Sequence, residues 1–280
     1  MLRLLAALAV FVSLPVSAQA DVESQGPLAS ADAHVRSRST APRGPAGDYD
    51  VDAAPAYYVT SRDVPLHSAP ADVAPVQARL QTRDGVRVLA EDGAPADGFA
   101  FGWRLVQYGD QRGYVRAAHL SNLWIRVDKS ERMVYVYRGS DLIRELPADV
   151  SVSGEDKVRR SARGEDDHYR IPEGTFFVTR RNDRSNYYRA FVISYPGPVH
   201  ALRGVRAGII TQDQYEAIVR ADQEGVEPPM NTRLGGLIEI HGSGSGRQRA
   251  WTRGCVALRN VHMDDLWDLV EVGTPVVIEP

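Results

Sequence analysis

Cysteine is nearly absent: one residue, Cys255, in a chain of 280. That excludes an internal disulfide and a structural zinc site built on cysteines. An excess of either charge is also missing, since 33 Lys and Arg face 36 Asp and Glu, a formal charge of −3. Such balance leaves no electrostatic footprint for nucleic acid, and no nucleic-acid partner is expected. Beyond the first twenty residues no apolar run approaches the ~20 residues a membrane span needs, so no integral membrane segment is expected there. His34, His67, His119, His168 and His200 stand at no metal-ligand spacing, and neither a metal nor a cofactor is expected. What remains is ordinary: 43% hydrophobic and 25% charged residues, enough for one large or two modest globular domains and unlike a collagen, a coiled coil or a wholly disordered chain.

Four segments follow from composition. Residues 1–20 carry Arg3, an apolar stretch from Leu4 to Val16 broken only by Ser13 and Pro15, and Ala18-Gln19-Ala20. This reads as a secretory signal peptide cut after Ala20. Residues 21–54 are rich in Ala, Pro, Ser, Gly and Asp; they bury too little to offset ordering entropy and read as a flexible linker. Residues 55–122 alternate short strands with turns: Tyr58-Val59, Val86 to Leu89 after Asp84-Gly85, Gly102-Trp103 to Val106, and Gly113-Tyr114-Val115 with a closing turn at Ala117 to Leu120. Residues 123–280 stay strand-rich, with alternation in Trp124 to Asp128 and Met133 to Tyr137 around a polar Lys129 to Arg132 connection. Further strands are expected at Ala148 to Ser153, Gly174 to Thr179, Ala190 to Tyr195, Leu237 to His241 and Thr274 to Ile278. Two helices interrupt. One starts at the capping box Thr211 to Gln214, the other is N-capped by Asn260.

An exported chain with a single thiol is chemically pointed, because exported proteins usually pair their cysteines. Ile238-Glu239-Ile240-His241-Gly242 delivers a histidine to a strand end. A Gly/Ser-rich basic loop follows, then Trp251-Thr252-Arg253-Gly254-Cys255-Val256-Ala257-Leu258. A Cys–His pair makes a nucleophile near neutral pH: the imidazole takes the thiol proton and returns it to the leaving amine. A glycine turn before the cysteine offers backbone N–H groups to an oxyanion. The bland alternative is a buried inert cysteine beside an unrelated histidine; the lone exported thiol and the flanking glycines weigh against it.

His241-Gly242, the loop and Thr252-x-Gly254-Cys255-Val256 resemble the signature of the YkuD-type L,D-transpeptidase catalytic domain. His168-Tyr169-Arg170-Ile171-Pro172-Glu173-Gly174 and Val192-Ile193-Ser194-Tyr195-Pro196 are similar to two of its other segments, and the likeness covers about residues 123–280. The order of Gly102-Trp103 and Gly113-Tyr114-Val115 resembles a bacterial SH3-like domain. The resemblance implies a mainly β chain, a small SH3-like β-barrel followed by a β-rich YkuD-type sandwich domain with a few helices. It implies an envelope enzyme, periplasmic or secreted, that acts on peptidoglycan stem peptides without metal or cofactor. Cys255 would be the nucleophile, His241 the base and acid, Gly254 part of the oxyanion hole, and Gly242 the carbonyl that orients the imidazole. Arg170, Glu173, Thr252 and Arg253 would contact substrate. Many members carry Arg two residues after the cysteine, where Ala257 stands here. This keeps open a hydrolase that cuts diaminopimelate-linked peptides or frees a peptidoglycan-linked lipoprotein. A cell-wall-binding protein with an inactive catalytic domain is the reading from another class.

Overall fold

Alternating apolar residues are what the fold is made from, and the computed structural model of the chain describes residues 49–89, 102–160 and 169–280. The signal peptide, most of the linker and His168 lie outside the described residues. The first sheet joins β1 (Ala56–Val59), β2 (Val64–His67), β3 (Val76–Leu80), β4 (Gly85–Val88), β5 (Trp103–Tyr108), β6 (Gln111–Arg116) and β7 (Leu120–Ser121) in the order β3-β2-β6-β5-β4-β1-β7. A single 3-10 turn, Ala117–His119, precedes β7. Val59, Val64, Leu66, Leu80, Val86, Val106 and Val115 form the core of this sheet.

The second unit holds β8 (Leu123–Asp128), β9 (Met133–Arg138), β10 (Asp141–Pro147), β11 (Val150–Ser151), β12 (Gly174–Ser185), β13 (Tyr188–Ile193), β14 (Glu239–His241), β15 (Ala250–Thr252), β16 (Val256–Ala257) and β17 (Pro275–Glu279). Eight of them form one sheet, β10-β9-β8-β17-β12-β13-β14-β16, and β11 pairs with β15. In β8 and β9 the predicted alternation holds: Ile125, Val127, Val134 and Val136 are fully buried, and Trp124 stacks on its cross-strand partner Tyr137 at 4.2 Å on the other face. The long strand β12 serves both halves of the sheet. Gly174 to Phe177 pair with β17, and Val178 to Ser185 pair with β13, with register shifts between Val178 and Arg180 and between Asn182 and Ser185. Such a bulge bends a strand and lets it pass from one half to the other. The chain is mainly β, and its second unit has the build of a β-sandwich.

Three α-helices are present among the described residues: α1 (Pro198–Arg206), α2 (Gln212–Gln223) and α3 (Asn260–Trp267). The capping box at Thr211 and Gln214 forms in both directions. Two helical expectations need correction. Helix α1 was not anticipated, although Pro198 stands at its first turn, where proline is favoured. Asn260 is not the cap of α3: Arg259 takes that place, and the Asn260 Oδ1 instead accepts the Ser243 amide at 2.7 Å. No helix among the described residues is long and apolar enough to cross a membrane.

The two units are docked. Tyr58, 1% exposed, donates its hydroxyl to the Leu123 carbonyl at 2.9 Å and sits 3.2 Å from Thr274 Oγ1. The Arg83 guanidinium lies 3.9 Å over the Phe177 ring and pairs with Asp222 near the end of α2. Arg62 donates to the Glu224 carbonyl just beyond it. The segment from Gly204 to Arg233 is therefore held at its α2 end by the first sheet.

Candidate functional site

Strand register brings the histidine and the cysteine together. Strands β14 and β16 run parallel, with Ile240 opposite Val256 and His241 opposite Ala257. Ile240 and Val256 belong to the hydrophobic core. Continued by one residue, the register sets Cys255 level with Glu239, and the two-residue period puts Glu239, His241 and Cys255 on the face away from that core. The chain enters this position through Gly254 at φ +112°, a backbone region that favours glycine. Thr252, buried, donates its hydroxyl to the Cys255 carbonyl at 2.6 Å and ties the turn shut.

His241 is 2% exposed, and its Nδ1 lies 2.7 Å from the Gly242 carbonyl. A carbonyl only accepts, so Nδ1 carries the hydrogen and Nε2 keeps its lone pair. Burial lowers the imidazole's pKa below 6.5, with the Gly242 bond acting weakly the other way. The Tyr187 ring, at the tip of the β12–β13 hairpin, stacks on the imidazole at 4.5 Å; the Trp251 indole meets it edgewise at 6.2 Å. Both aromatics keep exposed surface, 45% and 40%, and their rings lie 6.4 Å from one another, so together they cover the buried imidazole. A side chain at Gly242 would run into the Tyr187 carbonyl and Asn260 Oδ1, each 2.8 Å from the Cβ it would need.

The Cys255 thiol donates to the Leu237 carbonyl at 3.8 Å. Burial pushes the thiol up to about 12; a hydrogen bond from the Glu239 backbone opposes this, the Glu239 carboxylate adds to it, and the Lys157 ammonium opposes it. Burial thus works against charge on both the thiol and the imidazole. The Glu239 carboxyl is itself raised by burial, with Arg180 lowering it and Glu227 raising it.

The expected substrate residues are placed differently from one another. Arg253 is exposed, two residues before the thiol. Arg170 pairs with Glu155 at 2.5 Å. Glu173 accepts from the buried Lys129 Nζ at 2.5 Å. Thr252 is buried and donates its hydroxyl to the Cys255 carbonyl. Among the described residues no three of His, Cys, Asp and Glu converge to hold a metal ion.

Asp149 is the residue that sequence reading missed. It is fully buried beside the loop that links His241 to Cys255, and that loop supplies all its side-chain donors. The signal was present: a lone carboxylate between Ala148 and Val150 in an expected strand needs donors from somewhere.

The family model for the L,D-transpeptidase catalytic domain, YkuD, matches residues 122–278. No curated protein matches the chain. Similar solved structures include Bd1075 of Bdellovibrio bacteriovorus, 26% identical with a TM-score of 0.36, covering 57% of this chain and 48% of that one. An L,D-transpeptidase (residues 123–326) from Xylanimonas cellulosilytica is 20% identical with a TM-score of 0.35, covering 57% and 61%. The helical cell shape determining protein Pgp2 from Campylobacter jejuni is 20% identical with a TM-score of 0.36, covering 57% and 48%. The match thus spans about half to three fifths of the length of these proteins.

Proposed function

The chain belongs to the YkuD family of L,D-transpeptidase catalytic domains, and from that premise we propose that it is an exported, peptidoglycan-modifying L,D-transpeptidase. The observation that carries the reading is His241, its Nδ1 committed to the Gly242 carbonyl at 2.7 Å, on a strand parallel to the one that Cys255 opens. In this reading the Cys255 sulfur attacks the carbonyl at the L-centre of diaminopimelate in a stem peptide. His241 Nε2 takes the thiol proton as the S–C bond forms. The amides of Gly254 and Cys255 hold the oxyanion. The tetrahedral intermediate collapses, the C–N bond breaks, and His241 returns the proton to the leaving amine. An amine from a second stem peptide then attacks the thioester and restores the thiol. The step needs proton transfer concerted with attack, because burial disfavours a free thiolate. Residues 1–20 direct export to the periplasm or cell exterior, and residues 55–122 serve as an SH3-like accessory domain to residues 123–280.

Hydrolysis is the second reading, and Ala257 favours it. That residue is fully buried and paired with His241, so no cation stands two residues past the thiol to define an acceptor site. Water would then take the thioester, and a lipoprotein-linked lysine is the leaving group in its most specific form. Purified sacculi and defined tetrapeptide stems, with and without an attached lysine peptide, separate the readings by mass spectrometry. Cross-linked dimers support transfer. Free lysine peptide with no dimer at any acceptor concentration establishes the hydrolase.

A further inference from the structure

We propose that Asp149 is a positioning residue of this site: its buried carboxylate fixes the loop between His241 and Cys255 and holds the Trp251 indole beside the imidazole. The inference rests on the reading of Cys255 and His241 as nucleophile and base. Asp149 is 0% exposed, and a carboxylate so placed survives as a charge only if its oxygens are satisfied. Oδ1 accepts from Ser245 Oγ at 2.7 Å and from the Arg249 amide at 2.8 Å. Oδ2 accepts from the Ser245 amide at 2.6 Å and from Trp251 Nε1 at 2.7 Å. All four donors come from residues 245 to 251, between base and nucleophile. Burial works to raise this carboxyl, but the hydrogen bonds from Ser245, Trp251 and Arg249 outweigh it and hold the group below the ordinary carboxylate range.

The Asp149 backbone is tied to the other half of the site. Its amide donates to the Ala257 carbonyl at 2.8 Å, and the Ala257 amide donates back at 2.9 Å, two residues past the thiol. One residue therefore joins the strand behind the nucleophile to the loop that follows the base. The Trp251 ring needs that anchor. It is 40% exposed, and its N–H bond to Asp149 is what aims the indole at the imidazole, next to the Tyr187 ring 6.4 Å away. Freed from it, the indole would swing toward solvent, water would reach His241, and the imidazole pKa would rise toward its ordinary value.

Asp149→Asn tests this with little change of shape. With the carboxamide NH2 at the Oδ2 position the bonds from the Ser245 amide and Trp251 Nε1 are lost; at the Oδ1 position the Arg249 amide bond is lost, while Ser245 Oγ can turn to accept, so at least one backbone donor is left unpaired. The full chain is compared with D149N, Ser245→Ala, Trp251→Phe and D149N/W251F. The readouts are kcat and KM on a tetrapeptide stem against pH, the His241 imidazole titration by NMR, and Cys255 alkylation by iodoacetamide. The urea midpoint of each variant reports folding. We expect D149N to lower kcat by roughly 10²-fold, the scale of a ~1 Å misplacement, with KM within about threefold and the His241 titration moved upward. W251F moves kcat and the titration the same way by less, and D149N costs less in the W251F background than in wild type, since the two act through one bond. S245A, which keeps the charge and removes one donor, gives a smaller loss and stands in if D149N does not fold. Wild-type kcat and an unmoved His241 titration in folded D149N, or in S245A and W251F together, overturn the proposal; so do strictly additive effects of D149N and W251F. If the wild type turns over no stem peptide, or Cys255→Ala keeps turnover, the functional reading falls instead, while the titration and the alkylation rate still report on Asp149.

Discussion

The two sheets bury different things. Among the described residues the N-terminal sheet and its turns bury two polar side chains, His67 and Thr82, beside an aliphatic core. The C-terminal unit buries Asp128, Lys129, Asp149, Lys157, His200, His241 and Thr252 along with its larger core. A buried polar group is costly unless partnered, so their concentration marks where the fold is organised around chemistry rather than packing alone. His241, Thr252 and Asp149 are partnered by the segment that brings Cys255 into place. Among the described residues no such convergence stands in the first sheet.

The sharpest break of this comparison is at the thiol. Cys255→Ala is expected to lower turnover of a tetrapeptide stem by roughly 10⁴-fold or more, the scale seen when a nucleophile is removed, with the urea midpoint near wild type. A carbapenem adduct on intact mass, present in wild type and lost in Cys255→Ala, is the companion measurement. Undiminished turnover in the variant sinks the mechanism.

His241→Ala is next, at ~10²–10⁴-fold, the usual worth of a general base. The pH dependence has a definite sign. The imidazole acts only when neutral, and burial holds its pKa below 6.5. Wild-type kcat should rise with pH on the acid side of 6.5 and be flat above it, and the acid limb should vanish in His241→Ala. A limb centred above pH 6.5 assigns the base to another group.

The strand content of both units was legible because it rests on short-range pattern. Alternation in Trp124 to Asp128 and Met133 to Tyr137, and the glycines beside His241 and Cys255, carry their meaning within a few residues. What was not legible depends on pairing across the chain. The residues 76–80 that make β3 read as nothing in particular until β2 pairs with them. Val150 and Ser151 form only a two-residue strand because their partner β15 is itself short. Asn260 looked like a helix cap, but the Ser243 amide, seventeen residues back, claims its oxygen. The thiol's neighbours were not legible for the same reason: beyond the burial that raises it most, the Glu239 carboxylate that adds to this is its neighbour only through the β14–β16 register.

The contacts between the two units set a further test. A chain beginning at Leu123 loses the Tyr58 hydroxyl from Leu123 and Thr274, and uncovers the Phe177 ring beneath Arg83. It should unfold at lower urea than the full chain. The narrower test is Tyr58→Phe, which removes the hydroxyl donated to the buried Leu123 carbonyl and should cost about 1–3 kcal/mol. An unchanged midpoint in both would return the first sheet to the status of an independent bead.

The smallest effect expected is electrostatic and belongs to Glu239. Its carboxylate stands level with Cys255 across the β14–β16 pair and raises the thiol pKa, on top of the larger effect of burial. Glu239→Gln removes that charge with nearly the same shape, and leaves in place the Glu239 backbone bond that acts in the opposite direction. The thiol pKa should therefore fall, though it stays high because burial is untouched. Iodoacetamide alkylation, which reads the thiolate fraction, should move to lower pH in Glu239→Gln, with His241 and the fold unaffected. Charge removal at Glu131, an exposed carboxylate on the β8–β9 turn, is the control and should leave the profile where it is. A shift to higher pH in Glu239→Gln would show that the side chain supports the thiolate rather than opposing it, and that the level placement of residues 239 and 255 is wrong.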